Sequence, residues 1–173
     1  MANKGLEMIE AKWLFGMQPE QVDVVIHTQS ILHSMVECID GSIIAQMSPP
    51  DMTFAIQHTL LYPDRGKPVA NKLDFSQALA LDFRPPDISR YPCLELARAC
   101  MKADGSAPAI FNAANEVAVD AFTRRRIKFI EIAKIVAKTL ETIDNSEPVT
   151  IDEVLECDSQ ARVIASQLVD QKP

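Results

Sequence analysis

The sequence predicts an α+β fold: a small mixed sheet with helices, followed by a helical bundle. Three observations carry this. Strand-like runs concentrate before residue 50, as VDVVIH (22–27) and a pair of runs around Asp40-Gly41. Apolar residues recur at helical spacing in four stretches after residue 91. A proline-rich stretch, 62–90, lies between the two patterns. At 173 residues the chain fits one domain or two small ones. A chain of this mass buries roughly 70% of its unfolded surface, enough for a core. With 47% hydrophobic and 24% charged residues, it is not compositionally disordered.

The elements follow in order. GLEMIEAKWLF (5–15) is helical, because Leu6, Ile9 and Trp13 recur at spacings of three and four. Gly16 and Pro19 stop it. VDVVIH (22–27) reads as a strand. SMVECID (34–40) and SIIAQM (42–47) flank the tight-turn signal Asp40-Gly41 and read as a hairpin. A helix then runs from Asp51, its expected N-cap, to about Leu61, and Pro63 ends it. Residues 62–90 read as an ordered linker, with LALDF (79–83) a short strand within it. CLELARACMKA ends at Asp104-Gly105. IFNAANEVAVDAF after Pro108 and FIEIAKIVAKTLETI form two further helices. The last helix starts at Thr150, with Glu153 at capping-box spacing. Together these make a small bundle.

Charge and composition exclude several functions. Lys+Arg number 17 against 24 Asp+Glu, a net charge of -7, so no nucleic acid and no membrane surface is expected as partner. Arg124-Arg125-Arg126 is too short for a nucleic-acid patch and reads as a solvated helix end. No apolar run is long enough for a membrane span, and the N-terminus shows no signal or transit peptide. The four cysteines lie far apart without a CxxC pair, as expected of buried free thiols in a reducing compartment. GxGxxG, P-loop, HExxH and GxSxG motifs are absent, and no residue is assigned to cofactor binding.

Two segments carry candidate chemistry. Asn3, Lys4 and Glu7 share one side of a helix start, at spacings of three and four. Free N–H groups and the positive dipole end favour an anion there. Lys4 adds a positive charge, Asn3 an amide donor, and Glu7 a hard oxygen for Mg²⁺ or Mn²⁺. On spacing alone, a capped helix with a surface ion pair is the default, and one carboxylate is too few for a Mg²⁺ site. His27-Thr28-Gln29-Ser30-Ile31-Leu32-His33-Ser34 joins two expected strands. Its histidines and serines suit proton transfer or ligand binding, but no acid lies within the loop to orient a nucleophile. A hydrogen-bonded turn is the default there. Asn112 and Asn115 read as structural, through side-chain bonds to backbone.

Several motifs resemble a known family in order and spacing. They are Asn-Lys-Gly-Leu-Glu (3–7), Ile-Glu-Ala-Lys-Trp-Leu-Phe (9–15), His-Thr-Gln-Ser-Ile-Leu-His-Ser (27–34), Asp-Gly-Ser (40–42), Ala-Gln-Met (45–47), Pro-Asp-Met (50–52), Tyr-Pro-Cys-Leu (91–94) and Asn-Ala-Ala-Asn-Glu (112–116). The family is 1-deoxy-D-xylulose 5-phosphate reductoisomerase, in its C-terminal part. The resemblance implies residues 1–61 as the later part of a catalytic domain, 62–90 as a linker and 91–173 as a C-terminal helical domain. It implies conversion of 1-deoxy-D-xylulose 5-phosphate to 2-C-methyl-D-erythritol 4-phosphate in non-mevalonate isoprenoid synthesis. Mg²⁺ or Mn²⁺ and NADPH serve the full-length enzyme.

Residue by residue, the resemblance implies that Asn3, Lys4 and Glu7 hold substrate, with Lys4 and Glu7 catalytic and Glu7 a metal ligand. Ser30, His33, Pro50 and Met52 match segments beside the active site, and Thr28 stands where the family usually has proline. Family members also carry an NADPH-binding domain and an Asp-Ser-Glu motif with further metal ligands. Neither is in these 173 residues, since Asp158-Ser159 is followed by Gln160. The chain is therefore expected to be a truncated part, inactive alone and binding neither cofactor tightly. A bacterial-type cytoplasmic location and a homodimer are expected; plastid members belong to the wider family. The alternative is a non-catalytic module that pairs with itself or with a separate N-terminal half.

Overall fold

The structure, a computed structural model, describes residues 1–171; the last two residues of the expected 91–173 segment lie outside it. The fold is α+β. Helix α1 (Ala2–Phe15) is followed by a 3-10 turn (Pro19–Gln21), strands β1 (Leu32–Glu37) and β2 (Ile43–Met47), and helix α2 (Thr53–Leu61). Helices α3 (Pro92–Ala103), α4 (Ala107–Thr123), α5 (Glu131–Thr142) and α6 (Ile151–Asp170) complete it. Two compact units result. One joins Met1–Val24 to the chain from Asp87 onward, and the other is Val25–Pro86.

The first unit holds the core. α1 begins three residues before the expected start and ends as expected at Gly16, whose φ of 63° turns the chain so that the Met17 N–H reaches Lys12 O at 3.1 Å. Its buried residues Gly5, Met8 and Ile9 face α3. A methyl on Gly5 would overlap Ala97 Cβ, so only glycine permits this approach. α3 presents Leu94, Ala97, Cys100 and Met101 to the interior. It stops at Asp104 and Gly105, both with φ of 59°. α4 touches α1, α3, α5 and α6 and is the centre of the bundle. Its alanines at 113, 114, 118 and 121 are buried around Ile110 and Phe111, and their small side chains admit close neighbours. Burying a side chain such as Phe111 contributes about 1.5–3 kcal/mol.

Polar contacts fix the corners of this unit. Lys12 Nζ donates to Met101 O at 3.0 Å and Asp104 Oδ2 at 2.8 Å, tying α1 to the end of α3. Asn145 Oδ1 accepts from Ala107 N at 3.0 Å and Ser106 Oγ at 3.1 Å, capping α4 from another loop. The expected capping box of α6 forms, with Glu153 N donating to Thr150 Oγ1 and Thr150 N donating to Glu153 Oε2.

The second unit is a hairpin and one helix. β1 and β2 pair antiparallel, with Val36 opposite Ile44 and Met35 opposite Ala45. Gly41 has a φ of 81°, as the Asp40-Gly41 turn requires. The ladder shifts register between Leu32 and Ser34, so His33 falls outside it. α2 starts at Thr53, two residues after the expected cap; Asp51 Oδ1 still accepts the Thr53 N–H at 2.8 Å. Two expected strands are corrected. Residues 22–27 and 79–83 form none; one isolated bridge joins Ile26 to Arg84. The first run is divided between units, with Val24 in the core of one and Ile26 bridged in the other. Pro85-Pro86 prevents extension of the second, because proline cannot donate to a ladder.

Candidate active site

The first turn of α1 brings Asn3, Lys4 and Glu7 together. Asn3 Nδ2 donates to Glu7 Oε1 at 3.3 Å, and Lys4 Nζ makes an ion pair with Glu7 Oε2. The two charged side chains keep 45% and 46% of their surface exposed, so an incoming ligand can reach both. The first helical bond is Gly5 N to Met1 O at 3.0 Å, which leaves the amides before Gly5 without helical partners. Donors, a cation and the positive helix end therefore face one exposed spot. An exposed ion pair of this kind is worth about 0–1 kcal/mol, so a ligand that recruits Lys4 or Glu7 loses little by parting them.

Ser30, His33, Pro50 and Met52 all lie in the hairpin unit. Ser30 is exposed and has a φ of 52°, in the left-handed region. His33 Nε2–H donates to Ser48 O at 3.1 Å, which leaves Nδ1 as the acceptor in the neutral ring. Ser48 N donates to Ile31 O at 3.0 Å. These two bonds bring the 30–33 loop beside the 48–52 turn, where Pro50 and Met52 are exposed. Thr28 Oγ1 donates only to the neighbouring Gln29, at 3.4 Å.

Among the described residues, no group of three or more His, Cys, Asp or Glu side chains is placed to hold a metal. Glu7 is the one carboxylate of its cluster and supplies one hard oxygen where Mg²⁺ needs more. No described helix is long and apolar enough to cross a membrane. A cleft of about 330 Å³ lies elsewhere, between α4 and α6, lined by Glu116, Asp120, Arg126 and Arg162 among others. Its cations are already held. Arg162 donates to Asp158 and Glu116, which push its guanidinium pKa further up, and Arg126 pairs with Asp170. Asn112 Nδ2 donates to Glu116 Oε1 at 3.2 Å, a side-chain partner where a backbone one was expected. Asn115 Oδ1 is buried without a hydrogen-bond partner among the described residues.

Comparison with known proteins shows which family the chain belongs to. The sequence pattern of the DXP reductoisomerase C-terminal domain matches residues 47–164. The chain belongs to this family. A 1-deoxy-D-xylulose 5-phosphate reductoisomerase of Cellvibrio japonicus is 48% identical over 169 residues, 98% of this chain and 42% of its own length. That of Stutzerimonas stutzeri is 50% identical over 167 residues, 96% of this chain and 42% of its own. The Zymomonas mobilis reductoisomerase in complex with NADPH superposes with a TM-score of 0.93 at 45% identity, covering 99% of this chain and 46% of that one. A reductoisomerase in complex with NADPH, fosmidomycin and magnesium gives 0.88 at 38% identity, covering 98% and 44%. The chain thus spans less than half the length of these reductoisomerases. One feature of the reductoisomerase motif, the packing role of Gly5, escaped the sequence reading. With the helix expected to start at Gly5, its interior position, which costs about 1 kcal/mol against alanine and calls for a packing reason, emerged only with the observed start at Ala2.

Proposed function

We propose that these residues are the substrate-gripping part of a 1-deoxy-D-xylulose 5-phosphate reductoisomerase, a divalent-metal- and NADPH-dependent enzyme of non-mevalonate isoprenoid synthesis. The carrying observation is the Asn3–Lys4–Glu7 cluster on the first turn of α1, in a chain of that family. The Lys4 ammonium and the Asn3 amide hold oxygens of the phosphorylated sugar. Glu7 offers its carboxylate to the metal and to substrate once Lys4 turns to the ligand. Ser30 and His33, with Pro50 and Met52, line an active-site loop of the enzyme. In the full-length enzyme the metal polarises substrate oxygens and NADPH supplies hydride. Residues 1–61 belong to its catalytic domain, 62–90 to a linker and 91–173 to its C-terminal helical domain. The enzyme is a cytoplasmic homodimer in this reading.

These 173 residues have no turnover alone, because they offer one carboxylate at the cluster and no glycine-rich dinucleotide loop. NADPH oxidation with 1-deoxy-D-xylulose 5-phosphate and Mg²⁺ tests this. The chain alone is expected to be silent. Mixing with the N-terminal part of a reductoisomerase is expected to give activity that Glu7→Gln removes. Turnover by the chain alone would sink the inactivity claim, and activity indifferent to Glu7→Gln would sink the site.

The hairpin favours a second reading, an association module. Val36, Ile43 and Ile44 are more than half exposed on the two-stranded sheet. Each strand also keeps an outer edge unpaired among the described residues. Gel filtration discriminates: a concentration-independent monomer counts against strand-mediated pairing.

A further inference from the structure

Ser30 adopts a left-handed backbone, with a φ of 52°, although it is not glycine. Such a conformation persists only where the surroundings over-determine it. The His27–Ser30 turn itself is closed by one long bond, Ser30 N to His27 O at 3.3 Å. Most of the restraint comes from a segment more than fifty residues away. Ile26 and Arg84 exchange backbone bonds at 2.8 and 3.0 Å. His27 Nδ1–H donates to Asp82 O at 2.9 Å, and the ring stacks on Phe83 at 4.8 Å with an interplanar angle of 21°. Gln29 reads both ends of Asp82: its Nε2 donates to the carboxylate, and its Oε1 accepts the Asp82 N–H at 3.4 Å. Ile26, His27 and Gln29 are thereby fixed to one short strap.

We propose that Asp82, acting through Gln29, is a positioning residue for the loop that carries Ser30 and His33. Residues 82–84 splint that loop and hold Ser30 in its left-handed backbone. The inference rests on the reductoisomerase reading for its consequence in catalysis, and on geometry alone for the splint itself. Gln29 suits the task because its amide both donates and accepts. Asp82 contributes an ionised acceptor, the stronger kind. Neither residue touches substrate in this scheme; each acts on the aim of Ser30 and His33.

The test uses the full-length reductoisomerase that carries these residues, with Gln29→Ala, Asp82→Ala, the double variant and Asp82→Asn. Amide hydrogen exchange over 27–33 is expected to accelerate about tenfold or more in both alanine variants, while α4 keeps its protection. KM for 1-deoxy-D-xylulose 5-phosphate is expected to rise about tenfold, with a smaller change in kcat, since misplacement by an ångström is costly. The double variant should be no worse than either single one, and Asp82→Asn, which keeps an acceptor of the same shape, should recover most of the KM. Unchanged exchange over 27–33 overturns the splint. So does acceleration that extends to α4, which marks general destabilisation, and so does a double variant whose KM effects multiply. If the parent enzyme fails to turn over this substrate, the reductoisomerase reading falls, and the exchange pattern still decides the splint.

Discussion

Lys4 differs from a methionine of similar length by its charge and its donors, so Lys4→Met isolates those. In the full-length reductoisomerase the loss of a charge-assisted bond worth about 1.5–3 kcal/mol should raise KM about 10- to 100-fold. Steady-state kinetics at fixed Mg²⁺ read this, and an unchanged KM would remove Lys4 from substrate binding. Cys100 gives a second residue-level expectation. It is 3% exposed, and burial pushes its thiol up to about 12. Its thiol stays protonated in the folded chain at pH values where the unfolded chain ionises. The unfolded state then binds fewer protons, so stability falls as pH rises from about 9 to about 12. Alkylation at pH 8 should label Cys100 only after unfolding, as peptide mass mapping would show. The Asn3–Lys4–Glu7 cluster was legible in the sequence, because helix spacing alone puts three such side chains together. A different pattern was overlooked. Asp40, Asp74 and Asp87 each accept from the hydroxyl and the N–H of the serine two places on, which holds their carboxyls below the usual range. The Asp-x-Ser repeat was visible in the letters, and it marks turns.

At the level of elements, the contact of α1 with α3 rests on a missing side chain. Gly5→Ala would place a methyl against Ala97 Cβ and force the helices apart. Overpacking of this kind costs about 1–3 kcal/mol, so a clear drop in Tm is expected. Gly5→Ala with Ala97→Gly should recover part of it, because the methyl then has somewhere to sit; no recovery would mean that α1 and α3 are not in this register. The helices and their ends were readable because stops such as Gly16 and Asp104-Gly105 and the Thr150–Glu153 box act within a few residues. The strands at 22–27 and 79–83 were not. A strand needs a partner, and composition cannot say that Val24 would turn into a helical core while Ile26 met only Arg84. His33 stands at the register shift of its ladder, with its ring bonded to Ser48 O, a contact the letters do not show.

Across the whole molecule, burial is unevenly shared. The buried apolar residues belong to the first unit, from Met8 to Val169, while Ser48 is the buried residue of the Val25–Pro86 unit. A two-stranded hairpin without such a core is marginal in water. Hydrogen exchange on the 173-residue chain should therefore find α4 protected and β1–β2 exchanging much faster; equal protection would contradict this distribution of stability. The chain's family was legible from separated motifs, but its division into units was not, since nothing in the letters says that α1 packs with helices after residue 87. That discontinuity bears on biosynthesis. α1 leaves the ribosome with its glycine notch, Met8 and Ile9 uncovered, and its partner α3 is translated roughly eighty residues later. At about 5–20 residues per second, α1 waits on the order of 4–16 s for its seat. During that interval the helix bearing Asn3, Lys4 and Glu7 is a nascent amphipathic segment, open to chaperones and proteases.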